Sequence, residues 1–310
     1  MTTVSRILVV LGGCGTALWG AAVGGVNLPA GAYRAPVKYE HGYFLARDRE
    51  RGMVASYDKS GKALAQVYLN PTEGYTPQPT DGSIAPDGMI AVSAMAMDKE
   101  GAYGSTIVWI GREGKVIRLV RTSPYGVGHI AFDDRGHLWT AGRVYDEKFG
   151  DTPKFDVLRE YDGDGRLART MLPNDSFPQS GDKRHPAFQS FLVALPHGMG
   201  FYSVTRREWV EVSDAGEVVG RWRTPDVSKD RMFLGAIAAS DEGVYVSYED
   251  IQRVAGTPNE GGLLRLNKTT DGNASFEAVS GGGLGYVAGS DGGQLIFSPE
   301  HGKFSWASLR

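Results

Sequence analysis

The sequence predicts an all-β protein, specifically a six-bladed β-propeller of four-stranded antiparallel blades. Three observations point there. Glycine is unusually abundant, 43 of 310 residues, and it is spread along the chain beside Asp, Asn and Ser, as expected of many tight turns. Hairpin patterns made of an apolar strand, an Asp-Gly turn and a second apolar strand recur in two alternating forms, so the repeating unit has four strands. The turn glycines of the second form, Gly61, Gly114, Gly165, Gly216 and Gly272, are spaced 53, 51, 51 and 56 residues apart by subtraction. A four-stranded meander at that period is the signature of a propeller blade.

In chain order, the inner hairpins are "SIAPDGMIAVS" (83 to 93), "HIAFDDRGHLWTAG" (129 to 142), "SFLVALPHGMGFYSV" (190 to 204), "GAIAASDEGVYVSYED" (235 to 250) and "GYVAGSDGGQLIFS" (285 to 298). The interleaved outer hairpins are "MVASYDKSGKALAQVYL" (53 to 69), "IVWIGREGKVIRLV" (107 to 120), "VLREYDGDGRLARTM" (157 to 171), "WVEVSDAGEVVGRW" (209 to 222) and "LLRLNKTTDGNASFEAV" (263 to 279). Blades are therefore expected near 35 to 69, 82 to 120, 128 to 172, 190 to 223, 233 to 279 and 284 to 310. The last has material for three strands only, and "VNLPAGAYR" (26 to 34) is the unassigned segment that would complete it. Small residues such as Ala131, Ala236, Ala238, Gly285 and Ala288 suit innermost strands crowded around a channel. Trp109, Trp139, Trp209, Tyr202, Tyr245, Phe297 and Trp306 recur where blades pack on one another and are expected in the core.

The N-terminus has its own character. After "MTTVSR", residues 7 to 26 carry no charge, and small residues follow. This pattern predicts export, with residues 1–22 acting as a cleaved signal or as an uncleaved membrane anchor and 23–310 forming one propeller domain. Ala-containing boxes at 20 to 22 and 30 to 32 are candidate cleavage sites. "LGGC" also resembles the lipobox of bacterial lipoproteins, which would make Cys14 a lipidation site. Cys14 is the only cysteine, so a chain cleaved after residue 22 has no disulfide, Cys-based metal site or thiol nucleophile. A net charge of −3 without a dense basic block argues against a nucleic-acid partner.

"HIAFDDRGHLWTAGR" and "GAIAASDEGVYVSYED" resemble blades of the superfamily that includes NHL-repeat proteins, senescence marker/gluconolactonase-like enzymes and virginiamycin B lyase. The resemblance covers most of residues 35 to 310 and implies architecture far more firmly than activity. It also implies an alternative function, a divalent-metal-dependent lactonase or lyase with Ca²⁺ or Mg²⁺ held over the channel by carboxylates and amides from several inner strands.

Sorting the connections by face locates a candidate site. Turns joining strands one to two and three to four are short. Those joining two to three, and blade to blade, are long: 70 to 82, 94 to 105, 143 to 155, 174 to 189 and 249 to 262. Long loops over a channel mouth are the natural place for binding. Candidate ligand-binding residues there are Tyr75, Asp81, His129, Arg143, Tyr145, Gln189, Arg206, Glu249 and Asp250. His129 and Arg143 flank one hairpin, where an imidazole could act as base or ligand and a guanidinium as anion clamp. His137 and His197 follow turns on the opposite face and are expected to be exposed.

At the mouth end of the inner strands only Asp81 offers a carboxylate and only Gln189 an amide, so the ligand set of the gluconolactonase-like enzymes is not visible. No Gly-x-Ser-x-Gly elbow and no His-Glu-x-x-His helix occurs, and "GGGLG" (281 to 285) lacks the Lys-Ser/Thr of a phosphate loop. The reading favoured by the sequence is an exported, non-catalytic propeller in the periplasm or outside the cell. It needs no metal or cofactor, binds an envelope protein, a peptide or a glycan through the long-loop face, and touches membrane only through its N-terminal segment.

Overall fold

The computed structural model describes residues 25–29, 36–69, 76–97, 103–146, 150–151, 154–177, 190–238, 243–251, 260–279, 286–300 and 302–308. Its strands build six sheets that follow one another around a channel. After β1 (Gly25–Asn27), blade one comprises β2 (Lys38–Glu40), β3 (Tyr43–Asp48), β4 (Met53–Asp58) and β5 (Ala63–Tyr68). Blade two is β6 (Thr76–Ile84), β7 (Ile90–Met97), β8 (Tyr103–Ile110) and β9 (Val116–Arg121). Blade three is β10 (Tyr125–Phe132), β11 (Leu138–Asp146), β13 (Asp156–Tyr161) and β14 (Leu167–Pro173), with the short β12 (Gly150–Asp151) paired to β11. Blade four is β15 (Phe191–Leu195), β16 (Gly198–Ser203), β17 (Glu208–Ser213) and β18 (Val218–Arg223). Blade five is β19 (Arg231–Ala238), β20 (Val244–Asp250), β21 (Glu260–Lys268) and β22 (Ala274–Ala278), and blade six has β23 (Tyr286–Asp291), β24 (Gln294–Glu300) and β25 (Lys303–Ser308). A single 3₁₀ turn, Asn174–Ser176, is the one helical element among the described residues.

The outer turns explain the period. Gly61, Gly114, Gly165, Gly216 and Gly272 all adopt positive φ, between 69° and 85°. The hairpins ending at Gly61, Gly114, Gly165 and Gly216 shift register by one residue at the end of their third strand, the bulged turn in which glycine occupies the left-handed position at no steric cost.

The ring closes as the sequence suggests. β1 pairs antiparallel with β25, Gly25 opposite Ser305 and Asn27 opposite Lys303, so the N-terminal segment supplies the outer strand of blade six. Of the expected segment 26 to 34, Val26 and Asn27 are strand, with Gly25 before them; Leu28 follows with its N–H bonded to the Gly302 carbonyl, and 30–35 lie outside the described residues.

Six apolar clusters lie one at each blade junction, and the predicted aromatics apart from Trp306 lie within four of them. Trp109 packs between blades two and three, Trp139 between three and four, Tyr202 and Trp209 between four and five, and Tyr245 and Phe297 between five and six. Leu45, Val54, Ile84 and Ile90 join blades one and two, and Leu28, Phe44, Phe304 and Ile296 join six and one, with Trp306 half-buried at its edge.

Each inner strand is a sheet edge whose free N–H groups need acceptors. Side chains of the preceding blade supply them. Glu40 accepts from the Ile84 N–H, Asp81 from Ile130, Ser83 Oγ from Phe132, Ser247 Oγ from Val287, and the Tyr286 hydroxyl from Val37. Close approach of these strands also explains two glycines. A Cβ on Gly289 would lie 2.1 Å from the Tyr39 carbonyl oxygen, and one on Gly235 would lie 2.8 Å from that of Val287.

Four long connections differ from expectation. Residues 76–82 belong to β6, 94–97 and 103–105 extend β7 and β8, 143–146 extend β11, and 249–250 and 260–262 belong to β20 and β21. Pro77 and Pro79 lie within β6, which is an edge strand and tolerates residues without an N–H. The long-loop face is thus partly built of hairpins that continue past the sheet.

Candidate ligand-binding site at the channel mouth

Inner strands β6, β10, β19 and β23 each carry a bulge in their pairing, at Thr80, Gly128, Leu234 and Ala288. The extra residue bends the strand and re-aims the side chain that follows. In blades two and three that next residue is Asp81 and His129; in blades five and six it is Gly235 and Gly289. Two of the sequence candidates therefore occupy equivalent places on neighbouring blades, and the structure brings them together.

Asp81 lies at the centre of this group. Its Oδ1 is 2.9 Å from Lys38 Nζ and 3.4 Å from Arg47 Nη2, and it accepts from the Gly82 N–H at 2.8 Å. Its Oδ2 accepts from the Ile130 N–H at 3.0 Å and lies 4.0 Å from His129 Nδ1. Arg47 also donates through Nη1 to the Thr80 carbonyl oxygen at 2.5 Å, and Lys38 Nζ reaches the Ile130 carbonyl oxygen at 3.4 Å. Gly82 leaves room for this: a Cβ there would come within 3.0 Å of Arg47 Cδ. Burial pushes the Asp81 carboxyl up, but Lys38, Arg47 and His129 outweigh it and hold the group down at about 2. Asp81 is therefore a permanent anion tying three blades together.

The other candidates lie elsewhere on the same face. Arg143 is exposed at the end of β11, its backbone opposite Gly126. Asp250 accepts from Nε and Nη2 of Arg231 at 2.8 and 2.7 Å, with Arg231 stacked 4.0 Å over the Tyr248 ring. Glu249, half-buried, sits beside it opposite Met232. Arg206 donates to Asn174 and stacks 4.7 Å over Phe177, whose ring also carries Arg221 at 5.0 Å. Arg206 and Asp250 thus serve visible structural contacts. Tyr145 contributes backbone to β11, pairing with Asp151, while Tyr75 and Gln189 lie outside the described residues.

Sequence reasoning missed Lys38 and Arg47, which come from blade one and meet Asp81 only across the ring. It also misjudged His137. That imidazole is half-buried, with Nδ1 2.7 Å from Oε1 of the fully buried Glu160, whereas His197 is exposed as expected. Asp133, His137 and Glu160 present donor atoms within 4.8 Å of one another, the arrangement of a candidate cation site. Their charges are already matched: Arg135 reaches Asp133 at 2.6 Å, Glu160 at 3.4 Å and Asp214 at 3.3 Å, and Arg169 pairs with Glu160. Arg135 and Trp139 hydrogen bonds hold Asp133 below the usual carboxylate range in spite of its burial. The cluster fits a junction between blades three and four.

The sequence matches no known family model and no curated protein. Solved structures share its fold. A member of the DUF4221 family from Bacteroides vulgatus, 10% identical, aligns over 93% of this chain and 97% of its own with a TM-score of 0.52. The PQQ-bound aldose sugar dehydrogenase of Streptomyces coelicolor, 12% identical, covers the same shares with a TM-score of 0.51. A protein described as exported, from Bacteroides fragilis, is 11% identical over 88% of this chain and 82% of its own, with a TM-score of 0.51. At these identities the likeness is one of fold, the six-bladed propeller.

Proposed function

We propose that this protein is an exported, non-catalytic propeller that binds a peptide, glycan or protein of the cell envelope through its long-loop face at the channel mouth. The observation that carries the reading is the state of Asp81. It is the one carboxylate at the mouth end of the described inner strands, and both its oxygens are already engaged by Lys38, Arg47 and two backbone amides. A hard divalent cation takes six or more oxygen ligands. Here it would have to displace two cations from a single carboxylate. Export is supported by the basic start and uncharged run of residues 7 to 26, and by the shared fold of a protein described as exported.

Native mass spectrometry of the exported protein, purified without chelator, tests the choice between binding and metal catalysis. A bare polypeptide mass is expected. A stoichiometric Ca²⁺ or Mg²⁺, together with turnover of a lactone panel, would overturn the reading in favour of a lactonase or lyase. A peptide and glycan array provides the positive arm: a saturable ligand should be found, and Arg143→Glu, at an exposed position on this face, should weaken it in a variant that still folds.

A further inference from the structure

Among the described residues around Asp81, charge is unbalanced, and the imbalance is layered. Lys38 and Arg47 both pair with Asp81, so two fixed positive charges share one negative charge. Glu40, two residues further along β2, is directed away to Ser83 Oγ at 2.6 Å and the Ile84 N–H at 3.0 Å. The anion lies beneath: the side chains of Asp81 and Arg47 are each 10% exposed, while those of Lys38 and His129 are 29% and 25% exposed. What the channel solvent meets is therefore an ammonium and an imidazole, backed by a buried guanidinium. The bulge residue beside His129, Gly128, is exposed and has no side chain to cover it. Low-dielectric walls concentrate the field of such a surplus.

We infer that Lys38 and His129 form a seat for the carboxylate of an acidic glycan, with Arg47 and Asp81 beneath them as positioning residues. The inference rests on the binding reading above and names the ligand class for the channel end of that face. Lys38 supplies a flexible ammonium that can turn from Asp81 to an arriving carboxylate, and Asp81 keeps Arg47, which also binds the Thr80 carbonyl. His129, 4.0 Å from Asp81, has a partly exposed side chain beside it.

Isothermal titration of the full chain with D-glucuronate, D-glucose and inorganic phosphate tests this. Glucuronate should bind saturably and at least tenfold more tightly than glucose. Lys38→Met should weaken glucuronate at least tenfold, Lys38→Arg less than threefold, and His129→Gln severalfold. Glucose binding as tightly as glucuronate, or phosphate binding more than tenfold more tightly, would overturn the carboxylate seat. So would an unchanged affinity in folded Lys38→Met. If that variant does not fold, His129→Gln decides, and unaltered affinity there refutes the seat. Failure of all three probes while an array ligand still binds sinks this inference and leaves the binding reading standing; a bound divalent ion with lactone turnover sinks the reading itself.

Discussion

Replacing Asp81 with Asn keeps the shape of the side chain and removes the charge on which Lys38 and Arg47 converge. The folded carboxyl titrates at about 2 against an ordinary 3.8. That difference is worth roughly 2.5 kcal/mol of stability at neutral pH. Leaving the mostly buried Arg47 without its counter-ion raises the cost to about 3–4 kcal/mol, within the range for breaking one side of a buried pair. For a domain of this size, a loss of about 3–4 kcal/mol lowers the melting temperature by about 5 °C. The pH dependence gives the sign. A carboxyl whose folded pKa lies below its unfolded one stabilises above the unfolded value, and that contribution disappears as pH falls through the folded value. The gap in melting temperature between wild type and Asp81→Asn should be constant from pH 7 to 5 and should close between about pH 4 and pH 2. Thermal melts across that series are the assay. A variant within about 1 °C of wild type at pH 7, or a gap undiminished toward pH 2, would refute the claim that Asp81 is a charged clamp.

Three further outcomes follow from the packing. Gly289→Ala places a methyl 2.1 Å from the Tyr39 carbonyl oxygen, on backbone that cannot swing aside, and should cost about 3 kcal/mol or more; Gly128→Ala, whose nearest new neighbour is 3.5 Å away, should melt within about 1 °C of wild type. Deleting residues 25–29 removes β1 and the buried Leu28, so the melting temperature should fall and blade six should be cut first in limited proteolysis; an unchanged melt contradicts N-terminal closure. Glu160→Gln strips the fully buried acid from Arg135, Arg169 and His137 and should cost about 3–5 kcal/mol, whereas His137→Ala, partly solvated, should cost less than about 1 kcal/mol by chemical denaturation; equal losses would show that His137, not the arginines, holds the junction.

The fold was legible because its requirements are local and repeat. A tight outer turn needs glycine at positive φ, so Gly61 and its four equivalents mark the period directly. Blade junctions need large apolar groups, so Trp109, Trp139 and Trp209 recur. The strand extents were less legible. Pro77 and Pro79 break an interior strand but not an edge strand, and whether a strand lies at an edge depends on the assembled sheet. The site was legible only in part, since contact across a ring is not a sequence-local property. Lys38 touches Asp81 from 43 residues away and the Ile130 carbonyl from 92. Nothing near Lys38 or Arg47 in the chain announces either partner.

A repeat nevertheless carries information about its site through its departures from regularity. The position after the inner-strand bulge is glycine in blades five and six, where the strand backbone lies against its neighbour. In blades two and three the same position holds Asp81 and His129, 48 residues apart by subtraction. A side chain fits there only if the adjacent inner strand stands back far enough to admit it. The space that blades five and six close with backbone contact is filled on the other side by Lys38, Asp81 and His129. Because all three side chains share that space, a ligand that draws Lys38 away from Asp81 also alters the contact between blades one and two. Binding at the mouth should therefore change the protection of the Ile130 and Ile84 amides, which Asp81 and Glu40 cap, in hydrogen exchange. Protection confined to the long-loop face would place the ligand above this cluster instead.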